Sequence, residues 1–136
     1  MAAARAQVGG APPVEVVAVH PAPPQTRERT RMWRRDLRLL PAATSSPLRI
    51  LAGDCNATLD HTELRRVIAT GYSDAAAQVG AGLHSTWPVG RHIPPPVTID
   101  HVLADERIGV RAVSVHTIPG TDHRAVFAEL QLPARR

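Results

Sequence analysis

The sequence predicts an α/β domain built on a mixed sheet, and three observations predict it. Strand-like and helix-like runs alternate through the first half. Strand-like runs dominate the second half. The 136 residues carry 43% hydrophobic side chains, enough for one domain with a real core and too few residues for two typical domains.

Residues 1–13 are rich in Ala, Gly and Pro and read as a flexible lead-in, with the domain proper over residues 14–133. Val14-Glu15-Val16-Val17-Ala18-Val19 is a β-branched run and reads as a largely buried strand ending at His20. Pro21-Ala22-Pro23-Pro24 cannot continue a ladder. Thr26 then reads as the N-cap of a helix over residues 27–40, with Met32, Trp33, Leu37 and Leu40 on one face. Leu48-Arg49-Ile50-Leu51-Ala52 is a second strand, stopped by Gly53.

Asp60 and Glu63 have capping-box spacing and open a helix that runs to about Thr70, where Gly71 suits the C′ position. Residues 73–96 read as loop, with a short helical piece at residues 75–79. Residues 97–103 are a third strand, residues 110–118 a fourth, and residues 125–132 an alternating fifth.

Composition excludes several classes. Cys55 is the single cysteine, so neither an internal disulfide nor a thiolate zinc cluster is available. No apolar run approaches bilayer length, and residues 1–10 lack the apolar stretch of a signal peptide. The chain as written therefore reads as soluble, and nothing in it fixes an oligomeric state. No Gly-x-Ser-x-Gly elbow or Walker loop is present. All 16 basic residues are arginine and the net charge is +4, which is compatible with a phosphate-bearing partner.

Four places could carry chemistry. Gly53-Asp54-Cys55-Asn56 follows an apolar strand, where open α/β sheets bind ligands. An ordinary Asx turn explains that stretch equally well. Asp100, inside the apolar run Ile99-Asp100-His101-Val102-Leu103, needs a histidine or a metal as partner unless it faces solvent. Gly120-Thr121-Asp122-His123 offers an oxygen ligand beside an imidazole, or simply a turn. His20 stands at a strand end, and the arginines of residues 27–38 form an anion-binding or merely solvated helix face.

In order along the chain, Gly53-Asp54-Cys55-Asn56, Ile99-Asp100-His101-Val102 and Thr121-Asp122-His123 resemble the late signatures of the endonuclease/exonuclease/phosphatase superfamily. Ser85-Thr86-Trp87-Pro88, ahead of the Ile-Asp strand, is also familiar from it. The resemblance implies part of a four-layer α/β/β/α sandwich with a mostly antiparallel mixed sheet. It implies a hydrolase of phosphodiesters or phosphomonoesters, nucleic acid among them, assisted by Mg2+ or Mn2+. Asp54 would orient or deprotonate the attacking water. Asn56 would hydrogen-bond the phosphate, and Asp122 would ligate the metal. His123 would contact the scissile phosphate, Asp100 would hold His123, and His20 would stand on the opposite side of the phosphate.

Cys55 replaces the family's usual Phe, and Thr121 its usual Ser. The family's early Asn-bearing strand, its metal-binding Glu and an acidic partner for the His20 position have no counterpart ahead of Val14. The expectation is therefore an amino-terminal half that is missing, an uncovered apolar face with reduced stability or self-association, and activity in doubt. The competing expectation is a truncated, non-catalytic remnant or a binding module that uses the arginine helix for anions or nucleic acid. Family members with upstream membrane helices would place such a domain outside the cytoplasm.

Overall fold

The computed structural model describes residues 2–135. Its main sheet has five strands in the order β1-β2-β3-β5-β4. They are β1 (Ala3–Ala6), β2 (Val14–Val19), β3 (Leu48–Asp54), β4 (Tyr72–Asp74) and β5 (Asp100–Asp105). Only β2 and β3 run parallel; every other pairing is antiparallel. The parallel pair requires a crossover, which helix α1 (Arg27–Arg38) supplies. A separate antiparallel pair, β6 (Gly109–Thr117) with β7 (Arg124–Gln131), forms a second sheet.

The result is the expected α/β architecture with a mixed, mainly antiparallel sheet. Helices α1 and α2 (Thr62–Ile68) cover one face of the main sheet. There Trp33, Leu37, Leu64 and Val67 pack onto Val17, Val19, Leu51 and Leu103. On the other face Val14, Leu48, Ala104 and Ile108 meet Leu130 and Leu132. β7 alternates as its pattern predicts, with Val126, Ala128 and Leu130 inward and Phe127 exposed. Glu15 and Arg49 are register partners across β2 and β3 and form an ion pair at 2.7 Å.

Several boundaries differ from expectation for identifiable reasons. The lead-in does not stay outside the fold: Ala3–Ala6 pairs with β2. All four residues are exposed, so the backbone ladder recruits them, helped by an Arg5–Glu15 ion pair at 3.7 Å, and apolar patterning carries no trace of it. Helix α1 starts at the expected cap, with Thr26 Oγ1 accepting from Arg29 N. The capping box at Asp60 does not form. His61 is the N-cap of α2 without a side-chain bond, its Nδ1 instead accepts from Thr58 N, and Glu63 turns to Arg34 at 3.1 Å.

The third strand begins at Asp100 rather than at Val97. The backbone amides of Ile99 and Asp100 donate to Thr86 Oγ1, and Ile99 O accepts from Cys55 N. That leaves only one bridge, Val97 with Trp87, in the preceding residues. β4 runs into the stretch read as loop, and the expected short helix follows it as α3 (Ala75–Gln78). Among the described residues no helix is long and apolar enough to cross a membrane.

Candidate active site

The site lies at the carboxyl ends of the parallel pair. β2 ends at Val19 and delivers His20; β3 ends at Asp54 and runs into Cys55-Asn56. β5 begins at Asp100, and the antiparallel register sets Asp54 directly opposite Asp100. His123 enters from the turn before β7. Sheet register therefore gathers Asp54, Asp100 and the strand end before His20, and the turn before β7 adds His123.

The contacts among these groups are specific. His123 Nδ1 lies 2.9 Å from Asp100 Oδ2, and its Nε2 lies 4.0 Å from Asp54 Oδ2. His20 Nε2 lies 3.8 Å from the same Asp54 oxygen, with its ring largely exposed. Asn56 N donates to Asp54 Oδ1 at 2.7 Å. The Asx turn and the site geometry are thus the same feature. Asn56 adopts a left-handed φ of 47°, and its Nδ2 donates to Pro21 O at 3.0 Å.

His20, Asp54, Asn56 and His123 open onto a cleft of about 480 Å3 lined also by Pro23, Pro24, Gln25 and Trp87. Burial pushes the Asp54 carboxyl above its ordinary value, with Asp100 adding to the effect, against the lowering pull of the Asn56 N–H, His123 and His20. Two carboxylates facing each other across a ladder repel. Ligand atoms of Asp54, Asp100 and His123 lie within 4.8 Å of one another. Two hard oxygens and an imidazole at that separation suit a divalent cation, and the unfavourable carboxylate pairing is what such an ion relieves.

Of the six residues singled out from the sequence, His20, Asp54, Asn56, Asp100 and His123 converge. Asp122 does not join the cluster. Its Oδ2 accepts from Trp87 Nε1 at 3.1 Å and from Arg91 Nη2 at 2.6 Å. The indole N–H, followed by the Arg91 charge, holds its carboxyl below the usual range. The physical reason is simple: the two donors come from a loop more than thirty residues upstream, which local spacing could not reveal.

The run Ser85-Thr86-Trp87-Pro88 also serves the site. Thr86, fully buried, anchors the start of β5 through the two amides it accepts. Trp87 lines the cleft with its ring centroid 6.3 Å from that of His123.

Solved structures share this fold. An endonuclease/exonuclease/phosphatase from Beutenbergia cavernae DSM 12333 aligns with a TM-score of 0.66 at 22% identity, over 94% of this chain and 38% of its own. A family protein from Leptotrichia buccalis C-1013-b aligns at 0.66 and 14% identity, over 96% and 53%. A humanized D. rerio TDP2 with 14 mutations aligns at 0.68 and 17% identity, over 95% and 59%. At these identities the likeness speaks for fold alone, and the chain spans well under two thirds of each of the three. No protein of curated function matches the sequence. The model of the Endonuclease/Exonuclease/phosphatase family matches residues 2–123, nearly the whole described fold and every residue of the cleft, and the chain belongs to that family.

Proposed function

We propose that this chain is a metal-dependent phosphohydrolase that cleaves a phosphodiester or phosphomonoester by attack of water. The observation that carries the reading is the meeting of Asp54, Asp100 and His123 at the mouth of one cleft, with Asn56 and His20 beside them. Asp54 and Asp100 are the carboxylates that would hold the cation beside His123, and Asp122, tied to Trp87 and Arg91, stands outside that set. A bound Mg2+ or Mn2+ supplies Lewis-acid polarisation of the phosphoryl group and neutralises its developing charge.

The chain's own groups then divide the work. Asp54 keeps Oδ2 free of hydrogen bonds, because Oδ1 takes the Asn56 amide, and that oxygen would orient the attacking water. Asn56 has two amide protons; one goes to Pro21 O and the second remains to donate to a phosphate oxygen. Asp100 accepts from His123 Nδ1, which orients the ring and leaves Nε2 toward the scissile group. His20, largely exposed just past its strand end, faces Asp54.

The test is turnover of bis-p-nitrophenyl phosphate and p-nitrophenyl phosphate with Mg2+ or Mn2+, paired with calorimetric titration of either ion. Turnover and ion binding that disappear together in Asp54→Asn and Asp100→Asn support the reading. Absence of turnover on both esters at saturating metal would sink it.

A binding role for helix α1 has its own observation. Arg27, Arg31, Arg34, Arg35 and Arg38 are exposed, and the loop ahead of the helix lines the cleft. Nucleic acid is accordingly one of the phosphate esters to assay. Its binding should weaken steeply with salt, and salt-insensitive or undetectable binding removes this role.

A further inference from the structure

Strand β5 presents two neighbouring polar residues to opposite faces. Asp100 faces His123 and Asp54; His101 faces the core, 3% exposed, and the reaction scheme does not use it. Its Nδ1 lies 2.7 Å from Asp74 Oδ2, and its Nε2 lies 2.8 Å from Ala57 O. Asp74 is buried too, and its Oδ1 caps α3 by accepting from Ala77 N at 2.8 Å. Both ring nitrogens therefore meet oxygen acceptors, and the ring is locked at each end.

The carbonyl that His101 reaches belongs to the residue immediately after Asn56. The carbonyl immediately before Asn56, that of Cys55, accepts from the buried Trp33 Nε1 at 3.0 Å. Two buried ring nitrogens thus bracket Asn56 on both sides. Between them Asn56 holds a left-handed backbone, a conformation that needs support from its surroundings. Satisfying one buried carbonyl does not require a buried charged partner, and apolar replacement of such pairs is often neutral. A pair set at this carbonyl, behind this residue, serves orientation.

We propose that His101, backed by Asp74 and opposed by Trp33, is a positioning residue that fixes the Asn56 side chain toward the cleft. The consequence for turnover rests on the phosphohydrolase reading; the consequence for Asn56 geometry does not.

Two amide substitutions separate the functions of the ring nitrogens. In His101→Gln the amide nitrogen falls near the place of Nε2 and can still donate to Ala57 O. In His101→Asn it falls near the place of Nδ1 and can reach only Asp74. The primary readout is the Asn56 side-chain amide pair in 1H–15N NMR, with the Trp33 indole signal as reporter of the same loop and circular dichroism as the check on folding.

The expected result is native-like Asn56 signals in His101→Gln and averaged or lost signals in His101→Asn. With turnover as a second readout, His101→Asn should lower kcat by roughly tenfold to a hundredfold, the scale of a small misplacement, with KM nearly unchanged. Equal responses of Asn56 to the two substitutions would overturn the proposal. So would failure of both variants to fold, since the pair would then hold the core rather than the loop. A native protein without turnover would remove the phosphohydrolase reading and leave the NMR comparison to decide this one.

Discussion

Gly53 is the most sharply constrained residue of the site, and replacing it with alanine should be severe. Its φ is +141°, which L side chains rarely adopt, and a Cβ there would stand 2.1 Å from Val19 O and 3.1 Å from Val19 C. Those atoms are backbone of the neighbouring parallel strand, where Val19 and Gly53 are register partners, so no side chain can swing aside. The conformation costs about 1–3 kcal/mol for a residue with Cβ. Relieving the overlap costs about 1–3 kcal/mol more, as overpacking does. Tm should fall by on the order of 10 °C. Gly120→Ala is the control: its φ is +86°, but an added Cβ meets nothing within 4 Å. It should lose only about 1–2 kcal/mol, for the backbone conformation. Thermal unfolding followed by circular dichroism compares the two. Because the clash pushes on the residue that carries His20, Gly53→Ala should also lose turnover when assayed well below its own Tm. Equal stabilities of Gly53→Ala and Gly120→Ala would refute the close-approach argument.

Three further outcomes follow from the same geometry. Asp54→Asn and His123→Ala should each reduce turnover by about a hundredfold or more, on the scale of general acid–base groups, and a residual rate within a factor of a few of native would exclude them as participants. Cys55 is 2% exposed, and burial, reinforced by the charges of Asp54, Asp100 and Asp74, has its thiol pushed up to about 12; a disulfide reagent at pH 8 should leave the folded protein unmodified, and rapid stoichiometric labelling without denaturant would contradict this. Burial works to raise the Asp105 carboxyl, but the Arg107 side-chain and backbone bonds outweigh it and hold it below its ordinary value. Its stabilising contribution is therefore complete above an unfolded value of about 3.9 and is lost as pH falls through the lower folded value. Arg107→Ala should cost about 1–3 kcal/mol at neutral pH by urea unfolding, with the difference from native shrinking in acid; a difference independent of pH would show that the ion pair is not its source.

What the sequence made legible divides by distance. Asp54 with Asn56, Asp100 and His123 sit in short runs whose chemistry and order are visible, and the structure brings them together. The fate of Asp122 depended on Trp87 and Arg91, donors 35 and 31 residues away, and so escaped a local reading. The pairing of His101 with Asp74 spans 27 residues and was hidden for the same reason. Within that Ile-Asp-His motif, only the aspartate had an evident use. β1 was unreadable because its four exposed residues join by backbone bonds and one ion pair, with no apolar pattern, and β4 because three residues are too few to show alternation. The helices were easier: Thr26 and the Trp33–Leu37 face set the start and buried side of α1, although it ends at Arg38 and leaves Met32 exposed, whereas the cap of α2 turned on where Glu63 and His61 found partners.

The back-to-back placement of Asp100 and His101 also guards the pairing of their strand. Leu103, Ala104 and Asp105 are all buried, so apolar patterning hardly distinguishes the two faces of that stretch. A slip of one residue would turn the Asp100 carboxylate inward against Asp74 and swing the imidazole out beside Asp54. It would bury two like charges without a cation between them, and would disperse the three groups gathered at the cleft. The strand is thus held in frame by polarity at its first two residues, and a chain that folds out of frame there loses both its core and its chemistry in the same step.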